Sequence, residues 1–137
     1  MNITHLKSYG IGTRTLTIPP NISYEVLYGH VIVTTDANTG NRRFHMDVVD
    51  TDGNVITDVH AKPQQGANEV QHYSLKQGMP EDTTFTAGVD LQLSLTNRFF
   101  VPPSHLIEVF LENQQAGDII EVNLVVDARH MGQMGGQ

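Results

Sequence analysis

Apolar and polar side chains alternate one for one over much of this chain. Leu91, Leu93 and Leu95 stand against Gln92 and Ser94; Ile107, Val109 and Leu111 against Glu108 and Glu112; Ile120, Val122, Leu124 and Val126 against Glu121, Asn123 and Asp127. A period of two sends neighbours to opposite faces of a pleated strand, so each stretch is read as a half-buried β-strand. Residues 13–18, 24–35, 41–50, 55–61 and 68–76 are rich in β-branched and aromatic side chains and bring the expected strands to about eight. Residues 113–118, with Gly117, read as a hairpin loop between the last two strands. Pro19-Pro20, Pro63, Pro80 and Pro102-Pro103 fall between the strands, where a missing backbone donor does least harm. No segment sustains a helical period. The pattern predicts an all-β, antiparallel two-sheet sandwich, with a jelly roll as the leading topology. It places a single domain over residues 13–128, an N-terminal arm over 1–12 carrying Ile3, Leu6 and Tyr9, and a flexible glycine-rich tail over 129–137.

One hairpin can be read at residue level. Asp52-Gly53 lies between apolar runs, a strong hairpin signal because both residues tolerate positive φ. A two-residue loop there, or a four-residue loop closed by Asp50 and Val55, sets His45 opposite His60, Asp47 opposite Asp58 and Val49 opposite Ile56. Phe44, Met46, Val48, Val55, Val59 and Ala61, with Thr57, then share the core face. A slip of one residue would set Met46 beside Asp58 and Phe44 beside His60, so the pattern selects the first register. Two imidazoles and two carboxylates meet on the outward face, the donor types that bind zinc-class ions or sense pH. Facing side chains on a flat sheet seldom converge on one ion, and a solvated polar face is the preferred reading, with no cofactor expected.

Composition narrows the function classes. With 8 Lys+Arg against 15 Asp+Glu the formal charge is −7, which disfavours binding to nucleic acid. Cysteine is absent, which excludes thiol catalysis and disulfides. No apolar run is long enough to span a bilayer as a helix, and residues 1–12 lack the hydrophobic stretch of a signal peptide, so synthesis in the cytoplasm and no membrane partner are expected. No nucleophile elbow, phosphate loop or H-E-x-x-H motif occurs, and the chain is read as a protein without catalysis. Charged residues make up 17 %, below the usual share of about 25 %, which suits a surface that will be covered. Phe99 and Phe100, placed in a loop before Val101-Pro102-Pro103, join Ile3, Leu6 and Tyr9 as expected contact residues. Gly40, Asn41 and Arg42 form a structural turn, with the Arg42 fork tied to a carbonyl or carboxylate.

Ile18-Pro19-Pro20, the long strand over 24–35, Gly40-Asn41-Arg42, the run from Val49 through Asp52-Gly53 to Ile56, Tyr73-Ser74-Leu75 with Gly78, and Gly117-Asp118 occur in an order that resembles a family of short virion proteins of tailed bacteriophages. The resemblance spans residues 18–127. The chain departs from it at Pro20 and at residues 113–116, which lack the more acidic late loop of the family. It implies a β-sandwich on the capsid surface: a decoration or cement protein that bridges subunits of the major capsid protein of the same phage, with a homotrimer as the leading assembly. A tail, baseplate or fibre component is the alternative within the same class. A carbohydrate-binding module, stacking sugars on exposed aromatics, and a hydrolase with a site assembled only in space are the alternatives from other classes.

Overall fold

The alternating pattern folds into ten strands: β1 (Ile3–Ile11), β2 (Arg14–Thr17), β3 (Ile22–Thr34), β4 (Arg43–Val49), β5 (Val55–His60), β6 (Val70–Gln77), β7 (Leu91–Leu95), β8 (Phe99–Val101), β9 (Leu106–Glu112) and β10 (Ile119–His130). The structure is a computed structural model and describes residues 2–85, 89–96 and 98–130. Most of the expected 129–137 tail lies outside the described residues, whereas Arg129 and His130 belong to β10.

The strands form two sheets that pack as a sandwich. One has the order β1-β10-β3-β6-β7, with β8 pairing the start of β3 beside β6; the other has the order β2-β9-β4-β5. Along these orders β1, β10, β3 and β6 correspond to β2, β9, β4 and β5, so each strand has its neighbour in sequence as its counterpart in the opposite sheet. That paired wrapping is a jelly roll. β7 and β8 are additions between β6 and β9, and β7 joins β6 in parallel, the single parallel pair among the described strands. A parallel neighbour requires a crossover, which the chain makes between the end of β6 and the start of β7.

Inward positions of both sheets fill the core. Phe44 of β4 stacks on Tyr73 of β6 across the sandwich, with ring centroids 4.6 Å apart and planes 15° from parallel. Met46, Leu75, Leu93, Val109 and Val122 pack around them and are all buried. Gly29 faces inward on β3, where a Cβ would lie 2.5 Å from Leu124 Cδ2. Just before it, Leu27 has no partner on β10 and forms a bulge that bends this long strand.

Three expectations are corrected. Residues 1–12 are no free arm: β1 pairs with β10 from Ile3↔Asp127 to Ile11↔Ile119, and Leu6 packs against the core. Phe99 and Phe100 do not lie in a loop. They open β8, Phe99 is only 2 % exposed within the core, and just Phe100 faces outward beneath the Arg98 guanidinium, 4.9 Å from its ring centre. The hairpin loop has three residues: Asp50 N donates to Asn54 O at 2.9 Å, Gly53 N donates to Asp50 O at 3.2 Å, and Gly53 takes a φ of 84°. This length shifts the register, so Val49 faces Val55, and a bulge at Ile56 restores the anticipated pairing from Thr57 onward. Val55, assigned to the core face from sequence, is therefore exposed, as is Ile56.

Candidate functional site

Beyond the bulge, β4 and β5 pair His45 with His60 and Asp47 with Asp58. The side chains converge because Asp58 reaches diagonally across the strand pair. Its Oδ1 lies 2.9 Å from His45 Nδ1, and its Oδ2 lies 2.7 Å from Nδ1 of His60, two residues along its own strand. On the other flank of β4, β9 contributes Phe110 and Glu112. Phe110 stacks on the His45 ring with centroids 5.0 Å apart and planes 7° from parallel, and Glu112 Oε2 lies 3.3 Å from His45 Nε2. His45 is thus held on one face by an aromatic ring and at both nitrogens by carboxylates.

Asp47 sits between carboxylates on both neighbouring strands, Asp58 on β5 and Glu108 on β9. Burial, then the hydrogen bond and charge of Asp58, push its carboxyl from 3.8 up to about 7; Glu108 adds to the effect and His45 opposes it. Asp47 Oδ1 is buried without a hydrogen-bond partner. For Asp58 burial also favours the protonated form, but the hydrogen bonds from Asp47, His45 and His60 outweigh it and hold this carboxyl well below the ordinary range.

A pH effect follows for Asp47 in metal-free protein. Its folded value is raised above the unfolded one, so its contribution to stability is complete below pH 3.8 and is lost as pH rises through about 7. An asparagine side chain at this position mimics the protonated acid and removes that loss. Asp47→Asn is therefore expected to gain stability over the parent between pH 5 and pH 8, by roughly 2–4 kcal/mol. Urea unfolding with a chelator present checks this, and equal pH slopes for the two proteins would contradict it. The groups facing Asp47 are Asp58 from β5, Glu108 from β9 and His45 of its own strand.

Arg42 is fully buried at the end of the sandwich where the β3–β4, β5–β6 and β9–β10 loops meet. Its Nε and Nη2 donate to Asp118 Oδ2 and Oδ1 at 3.0 and 3.1 Å, Nη2 also donates to Asp36 Oδ1 at 2.7 Å, and Nη1 donates to Gly40 O at 2.6 Å. Asp36 and Asp118 in turn accept backbone N–H groups of Gly117, Gln115 and Asp36 itself. Asn41 O accepts from Asn113 Nδ2 at 3.2 Å, which ties the same loops together. This network is structural: one guanidinium and several N–H donors meet the two carboxylates inside the fold.

Other outward groups lie on the six-stranded sheet. Ile3, Tyr9, Ile11, Tyr28, Val70 and Phe100 are all exposed there. The same face carries a second imidazole pair, His30 Nε2 and His72 Nδ1 at 2.9 Å, with Asp90 Oδ1 4.0 Å from the latter. Sequence reading missed Phe110, Glu112, His30, His72 and Asp90. The outward side of Glu112 was legible from alternation on β9; that β9 lies beside β4 was not.

No protein-family model, curated protein or solved structure matches the chain.

Proposed function

We propose that this protein is a structural component of a tailed-phage virion, binding the outside of the assembled capsid and bridging coat subunits as a decoration or cement protein. The observation that carries the reading is the outer face of the six-stranded sheet. Tyr9 is 67 % exposed, Ile11 63 % and Tyr28 51 %, and Ile3, Val70 and Phe100 share the same open face. A folded domain gains nothing from apolar side chains in water, and a broad face of this kind suits a protein partner. The ordered resemblance of residues 18–127 to short virion proteins supports reading that partner as a coat shell. The jelly roll supplies two rigid sheets on which contact residues hold their spacing.

The mechanism is mass action. A protein that binds the assembled shell and not free coat subunits stabilises the shell by RT ln(1 + [L]/Kd) at each site, repeated over the lattice. A closed trimer at a symmetry axis lets one copy of the face meet each neighbouring subunit. The protein is expected to bind assembled coat shells of its phage saturably and to raise their disassembly temperature. Tyr9→Thr combined with Phe100→Thr changes only outward side chains, sets no like charge opposite Glu121 or Glu25, and is expected to weaken shell binding by about 30-fold or more while leaving the fold intact. Sedimentation with shells measures this; undiminished binding by the double variant would remove the sheet face from the interface.

A further inference from the structure

We propose that the outer face of the β4–β5 hairpin binds one zinc-class divalent ion through His45 Nδ1, His60 Nδ1 and an oxygen of Asp58, with Glu112 as a positioning residue. His45, Asp58 and His60 each offer a donor atom, and these atoms lie within 4.8 Å of one another. Tetrahedral zinc takes nitrogen and oxygen donors at about 2.0–2.2 Å, which sets donors about 3.4 Å apart. The two imidazole nitrogens already point at the same carboxylate, at 2.9 and 2.7 Å, so side-chain rotations alone open the space for an ion between them.

Two further observations point to a cation. His45 is oriented as metal-bound histidines are: its ring is fixed against Phe110, and Nε2 faces Glu112 Oε2 at 3.3 Å. When an ion replaces the proton between Nδ1 and Asp58, a proton held on Nε2 toward the Glu112 carboxylate keeps the Nδ1 lone pair on the ion. Beside Asp58, Asp47 is buried with an unpartnered oxygen, and Glu108 stands on its other flank. Carboxylates gathered on one face of adjacent strands repel one another and are compensated by a divalent charge. The fourth position stays open, because the Asp58 and His60 side chains are 35 % and 47 % exposed and water reaches them. Imidazole with carboxylate donors suits zinc and its neighbours better than calcium or magnesium. The bound ion would clip β5, the edge strand of its sheet, to β4. The proposal is independent of the shell reading, since it concerns the opposite sheet.

The test uses the full chain, stripped with a chelator and titrated with zinc chloride by calorimetry and melting. Zinc is expected to bind one per chain and, at a free concentration 100-fold above Kd, to raise Tm by roughly 5–10 °C. His45→Ala with His60→Ala should abolish both effects. Glu112→Gln should keep the stoichiometry and weaken binding by about 10–100-fold. His72→Ala, in the other imidazole pair, should change neither. Absence of zinc binding overturns the proposal, and so does any binding that survives the loss of both His45 and His60.

Discussion

Replacing Arg42 by leucine is expected to lower the unfolding free energy by about 3–5 kcal/mol, among the largest single-residue losses available in this protein. The guanidinium is fully buried and bonds Asp118 through two nitrogens, Asp36 through one and Gly40 O through another. Leucine fills part of the volume but strands the Asp118 carboxylate, which is also fully buried. An unpaired interior charge costs more than the missing pair contributed, because desolvation remains uncompensated. Arg42→Lys keeps the charge yet cannot present the planar fork to two carboxylates and a carbonyl, so it should fall between. Adding Asp118→Leu to Arg42→Leu should recover part of the loss by removing the stranded charge. Urea denaturation measures all three. A leucine variant within 1 kcal/mol of the parent would show that the loops are held by something else.

Deleting residues 2–11 is expected to destabilise the whole sandwich by about 5 kcal/mol or more. A dispensable arm would be lost at little cost to the fold, but this segment is β1, paired with β10 over its full length and burying part of Leu6. Its removal breaks a ladder of hydrogen bonds, exposes one side of the sheet interior, and turns the long strand β10 into an edge open to pairing with other chains. The truncated protein should melt well below the parent and aggregate on warming. A shortened chain that stays monodisperse with an unchanged Tm would contradict this placement of β1.

The reason β1 escapes sequence reading lies in which side of it is apolar. Its outward row is Ile3, His5, Lys7, Tyr9 and Ile11, and its inward row is Thr4, Leu6, Ser8 and Gly10. Alternation assigns the apolar row to the core, and here most of that row faces out, because an edge strand covers little interior and small groups suffice beneath it. The inversion that hides the strand is also what places exposed apolar groups on the sheet face. β8 was illegible for a different reason: three residues between Arg98, with a φ of 57°, and Pro102 are too few to show a period.

The hairpin shows how far local pattern reaches. The facing of His45 with His60 and of Asp47 with Asp58 follows from where Phe44, Met46 and Val59 must point, and the structure has those pairs. The turn itself departs, because Asp50 closes a three-residue loop through its own backbone and side chain, and the bulge at Ile56 then absorbs the offset. Alternation is blind to such a compensated pair of shifts. It is equally blind to sheet order, which decides that Glu112 and Phe110 of β9 flank His45. Arg42 was legible as a turn fork; of its carboxylate partners, Asp36 lies six residues away in the same loop, but Asp118 comes from a loop 76 residues further on.

The most direct measurement of the central reading is location. Electron cryomicroscopy of virions assembled with and without this protein should show added jelly-roll density on the outside of the shell, at a symmetry axis, with the six-stranded sheet against the coat. Density confined to the tail or baseplate, or particles identical with and without the protein, would contradict it.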